Sequence, residues 1–144
     1  RSGAQANCMA KFRLLETLFF ANAIVLLAHQ IDAAFWREWT LFGLPGGIQV
    51  FVLLNLPIVA LVLYGQRCLA LRRASGKTLS WALAASGLFA VVFHGFHLLQ
   101  GDEAFRLPLS LALLGATCVL SLTQALALMV LKDSDDGNRA KGDI

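Results

Sequence analysis

Charge is scarce in this chain: only 15% of its 144 residues are Asp, Glu, Lys or Arg, against 58% that are hydrophobic. With a mean hydropathy of +0.67, this is too apolar for a soluble domain of the same length, which excludes that class and points to a bilayer. Cysteine is scarce too. The three, Cys8, Cys68 and Cys118, form no C-x-x-C, and two are expected near the cytoplasmic face and one in mid-helix. That excludes the quinone-linked disulfide-forming membrane enzymes, which need outward-facing cysteine pairs. Nucleic-acid motifs are also missing, so the net charge of +3 carries no signal for a DNA or RNA partner.

What the chain does have is apolar runs. A hydrocarbon core of about 30 Å needs about 20 apolar residues per helix, and four runs qualify: about 12–31, 45–64, 79–99 and 108–131. Pro45 and Pro108 open the second and fourth, in a first turn where a missing N–H costs nothing. A signal peptide is the rival reading of the first run. Its length, Glu16 inside it and the lack of a clean A-x-A site argue against that. The expected fold is all-α, a four-helix up-and-down bundle over residues 11–131. Residues 1–10 are read as a loosely ordered start and 132–144, charged and Gly-containing, as a disordered tail.

The basic residues assign the sides. Arg1, Lys11 and Arg13 precede the first run; Arg67, Arg72, Arg73 and Lys77 link the second to the third; Lys132, Arg139 and Lys141 follow the fourth. Alternation puts these three segments on one side, which the positive-inside bias makes the cytoplasm. Both termini are therefore expected inside, in a protein of the bacterial inner membrane, with anionic lipid heads as modest partners.

Aromatic residues mark the interfaces. Phe35, Trp36, Trp39 and Phe42 alternate with Arg37, Glu38 and Thr40 as a short amphipathic turn at the outer headgroups, or as a lid over a lipid-facing pocket. Pro57 should kink the second helix and free a carbonyl near Leu53, with Asn55 beside it to cap freed backbone. The third helix carries Ala82, Ala84, Ala85, Gly87 and Ala90, which let a neighbour approach closely.

All three histidines fall at one depth. His29 lies near the outer end of the first helix, and His94 and His97 near the outer end of the third. Asp32 follows His29, and His97 follows His94, by three residues, about 300° of helical turn, so each pair shares a face. Diagonal helices in such a bundle lie about 14 Å apart, close enough for inward side chains to meet. His29, Asp32, His94 and His97 then make a ligand set suited to zinc, copper or iron(II), with Glu38, Asp102 or Glu103 as a further ligand or a general base. Two other readings stand beside it. The histidines are interfacial and bind no cofactor, or His29 and His94 are axial ligands of a haem b.

Two polar features lie deeper. Ser110, Thr117, Ser121 and Gln124 share a face of the fourth helix, where interhelical hydrogen bonds of about 0.6 kcal/mol each are expected. Glu16 is the one carboxylate embedded near the inner end of a span, within reach of Arg13 and at the depth of Gln124.

Residues 16–51, ETLFFANAIVLLAHQIDAAFWREWTLFGLPGGIQVF, resemble an uncharacterised group of small bacterial four-helix membrane proteins. The shared features are an acid in the first helix, a His-x-x-acid near its end, a Trp-Glu-Trp turn and a Leu-Pro-Gly-Gly opening. The run is also distantly similar to proteins named for an HxxEE motif, where this chain has His29, Gln30, Ile31 and Asp32. The resemblance implies the bundle and a role beyond anchoring for Glu16, His29, Asp32, Trp36, Glu38 and Trp39. Two functions remain open. One is a metal-centred protein acting on a lipid or other apolar substrate, with Glu38 or Glu103 as acid–base; the other is a non-catalytic subunit packed against other membrane subunits or its own copies.

Overall fold

The computed structural model describes the backbone of residues 2–101 and 105–142, and the side chains of residues 3, 6, 7, 9–101 and 105–131. Four helices carry the chain: α1 (Ser2–Phe35), α2 (Gly47–Ala70), α3 (Ala74–Leu99) and α4 (Pro108–Gly142), with a single 3-10 turn, Glu38–Thr40, between α1 and α2. Each contains a stretch long and apolar enough to cross a membrane: Met9–Phe35, Gly47–Ala70, Ala74–Leu99 and Pro108–Leu131. This is an all-α, four-helix integral membrane protein.

The helix ends differ from the apolar runs in informative ways. Pro108 opens α4 as expected, but Pro45 stands in the turn before α2, where Gly46 takes φ 95°. A left-handed φ of that kind favours glycine. The link between α2 and α3 shrinks to residues 71–73, so Arg67 and Lys77 ride on helix ends. Backbone contacts close that turn: Arg73 N–H donates to Cys68 O at 2.8 Å, and a Cβ on Gly76 would come within 2.9 Å of Leu69 N. Helix α1 starts at Ser2 and α4 runs to Gly142, past the apolar limits. Helical hydrogen bonding does not depend on hydropathy once a span has nucleated the helix.

Among the described residues packing follows the cyclic order α1–α2–α3–α4, with α4 the most engaged, against α1 and α3, and with the backbones of α2 and α4 apart. The diagonal pair α1 and α3 also touches, and α2 is correspondingly displaced. In its most apolar 18-residue stretch 11% of α2 is buried, against 33% in those of α1 and α4. Leu15, Phe19, Leu26, Leu83 and Leu128 form the main apolar core. Close approach of α3 to α4 depends on Gly87, whose absent side chain makes room for Ser121 Oγ and Thr117. Pro57 lies inside α2, but the Asn55 amide donates to Phe51 O at 2.9 Å rather than to the carbonyl of Leu53. A side chain reaching back one turn meets the carbonyl four residues earlier.

Candidate functional site

One end of the bundle, carrying the α1–α2 and α3–α4 connections, gathers groups that an apolar span does not need. His29 from α1 and His94 from α3 are both 1% exposed, and their rings meet edge to face with centroids 4.8 Å apart. The 3-10 turn brings in Glu38, 8% exposed, with Oε1 3.2 Å from His94 Nε2. That approach is too poorly aligned for a hydrogen bond, so both ring nitrogens of His94 and Nδ1 of His29 are buried without a hydrogen-bond partner among the described residues. Buried polar groups are nearly always paired, and exceptions concentrate at functional sites.

Backbone conformation holds this arrangement in place. Arg37, at the N-cap of the 3-10 turn, has φ 54°, and Phe105 has φ 63°. A non-glycine residue there costs about 1–3 kcal/mol and persists only where its surroundings demand it. For Phe105 the demand is visible: its ring is 2% exposed and packs 4.0 Å from that of His94 and 5.8 Å from that of His29, centroid to centroid.

Asp32 turns the other way. Its Oδ1 accepts from the Ser110 hydroxyl at 2.9 Å, and Ser110 Oγ in turn accepts from the Trp36 indole N–H at 3.2 Å. His97 packs against Phe93 and Phe96, with centroids 4.7 and 5.8 Å away. The expected quartet of His29, Asp32, His94 and His97 thus shares one end of the bundle without forming one ligand sphere. No group of three or more His, Cys, Asp or Glu among the described residues is placed to hold a metal ion. Ser110 and Trp36 engage Asp32 on the α4 side, and the phenyl rings take His97. For haem, the His29 and His94 rings touch each other, so a macrocycle would have to part them.

A groove starts beside this cluster. Its volume is about 570 Å³, and its walls come from α1, α2 and α3, with His29, Gln30 and Glu38 at one end and Phe19, Leu61 and Leu79 toward the other. Displacement of α2 creates it. Trp39 packs on the groove residue Phe51 at 5.5 Å and is half-buried, as is Trp36. These indoles close the end of the bundle, in addition to any anchoring.

A second polar cluster occupies the middle of the bundle. The Asn22 amide donates to Gln124 Oε1 at 2.8 Å, and the Gln124 amide donates to Ser80 Oγ at 2.7 Å and Ser80 O at 2.9 Å. Ser121 and Asn22 also lie within hydrogen-bond distance, 3.2 Å from the amide nitrogen. The face expected on α4 is therefore interhelical at Ser110, Ser121 and Gln124. Gln124 is committed to Asn22 and Ser80 and so does not serve Glu16, which is half-buried nearer the other end. Glu103 and Asp102 lie outside the described residues.

Asn22, Ser80 and Phe105 were not among the sequence candidates. Asn22 precedes His29 by seven residues and so shares its face, and an amide within an apolar span is itself a signal. Nothing in the sequence marks Phe105, which acts through its backbone conformation.

A family model described as "Family of unknown function (DUF6713)" matches residues 15–131. The match spans all four membrane helices, and the chain belongs to that family. No curated protein and no solved structure matches it.

Proposed function

We propose that this member of the DUF6713 family is a bacterial inner-membrane protein, with both termini in the cytoplasm, that takes a chain-bearing apolar molecule from the bilayer and acts on its polar head. The observation that carries the reading is the groove: about 570 Å³, largely apolar along its length, with Glu38 and His29 at one end only. Ligand sites commonly pair an apolar wall with a few convergent polar groups. Here the tail lies among α2 and α3 side chains, and the head reaches Glu38 and His29, with His94 behind Glu38.

Glu38 and His94 supply the chemistry. Glu38 Oε1 and His94 Nε2 stand 3.2 Å apart, and a ligand head that entered beside Glu38 and drew the two into line would complete a proton path between carboxylate and imidazole. His29 touches the His94 ring and lines the groove, so it completes the polar wall.

The test is native mass spectrometry of protein released from lipid nanodiscs. About one retained apolar molecule per chain is expected, lost when Ser86→Phe fills the groove wall. Chains that emerge without a bound molecule would sink this reading and return the accessory-subunit function to first place.

A further inference from the structure

Resting on the ligand-binding reading above, the character of the groove end narrows the ligand further. We infer that the groove binds a neutral lipid with a flat, hydrogen-bonding ring as its head and an apolar tail, a quinone or quinol in chemical class.

Charge argues first. Among the described residues the groove lining contains Glu38 but neither lysine nor arginine; its other polar side chains there are His29, Gln30, Asn55 and Ser86. A carboxylate or phosphate head would enter beside Glu38 with no cation to compensate it, and an unpaired charge moved out of water is costly. An amine head has Glu38 to meet, but His94 Nε2 already faces that carboxylate at 3.2 Å. A neutral head needs only donors and acceptors. Those are present, and His29, which is 1% exposed and whose Nδ1 has no hydrogen-bond partner among the described residues, belongs to this lining.

Shape argues second. Phe42 and Phe93 stack with centroids 4.5 Å apart and planes 10° from parallel, and Phe89 continues the column at 6.0 Å from Phe93. All three line the groove, as does Phe51. Phe93 precedes His94, and Phe42 N–H donates to Glu38 O, so this aromatic wall stands where the polar groups are. A flat ring gains offset stacking there that an alcohol or glycerol head cannot. Away from this end the lining turns aliphatic at Leu61, Val62 and Leu79. From Phe93 to Leu79 is about 21 Å of α3, room for an extended tail.

The experiment is quenching of tryptophan fluorescence by a decyl-chain benzoquinone in detergent-solubilised full-length protein, with Trp39 as the near reporter. Saturation at one quinone per chain is expected, weakened about tenfold or more by Phe93→Leu and by Ser86→Phe. Palmitate, lysophosphatidylglycerol and decylamine should compete at least tenfold less well than a second neutral quinone. If one of these charged amphiphiles competes equally or better, and Ser86→Phe abolishes its binding, the head class is overturned while the groove remains a lipid site. If no probe saturates and Ser86→Phe changes nothing, the groove reading falls with it. Ser86 is exposed and its hydroxyl is satisfied within its own helix by Ala82 O, and Leu54→Phe from the opposite wall provides a second obstruction should Ser86→Phe not fold.

Discussion

Two buried polar clusters in one small bundle follow opposite rules. In the middle, Asn22, Ser80, Ser121 and Gln124 are all fully buried, and the Asn22 and Gln124 amides find acceptors across three helices. At the other end His29 and His94 are as deeply buried, but three of their imidazole nitrogens and the buried Oδ2 of half-buried Asp32 have no hydrogen-bond partner among the described residues. Satisfied networks lock helices together, because opening one leaves polar atoms stranded in hydrocarbon. Unsatisfied groups contribute little to that locking and keep their hydrogen-bonding capacity for something else. The contrast separates what holds the bundle from what it offers a ligand.

The largest effect should come from breaking the satisfied cluster. Gln124→Leu removes the Asn22 amide's 2.8 Å acceptor and the donor to Ser80 at once, leaving Asn22 only Ser121; a loss of about 1–2 kcal/mol is expected, read as an earlier thermal unfolding midpoint in detergent. The same variant should still bind groove ligand once folded. At the other cluster, His94→Phe removes two unpartnered nitrogens and keeps a ring against Phe105, so stability should change by less than about 0.5 kcal/mol, or rise. Ligand retention in native mass spectra should fall. Equal destabilisation by His94→Phe and Gln124→Leu would erase the distinction between the clusters. A third variant sharpens it: Arg37→Gly relieves a left-handed φ at an exposed residue and should stabilise by roughly 0.5–1 kcal/mol. A loosened Glu38 turn should then show as weaker ligand binding despite the higher midpoint.

Much of this was legible beforehand, and the reasons are specific. Four helices follow from four apolar runs, because in hydrocarbon every backbone N–H and C=O must be satisfied within its own segment. The meeting of His29, His94 and the Glu38 turn follows from antiparallel connection, which brings the end of α1 to the end of α3. Spacing along a helix sets a face but not which neighbour that face meets. Asp32 therefore bonded to Ser110 on α4, and His97 packed on Phe93 and Phe96 instead of joining a ligand set. The α4 polar face could be read from spacing, whereas its partners Asn22 and Ser80 depended on which helices became neighbours.

By itself the sequence determined the helix count, their antiparallel course and the end of the bundle at which His29 and His94 lie, since hydropathy and chain connectivity act locally. Tertiary structure alone decided that α2 stands apart from α4, that Phe105 adopts a left-handed backbone to cover two imidazoles, and that a groove opens beside Glu38. These depend on how side chains of distant helices fill shared space, where one close approach, such as Gly87 against Ser121, draws one pair together and leaves another apart.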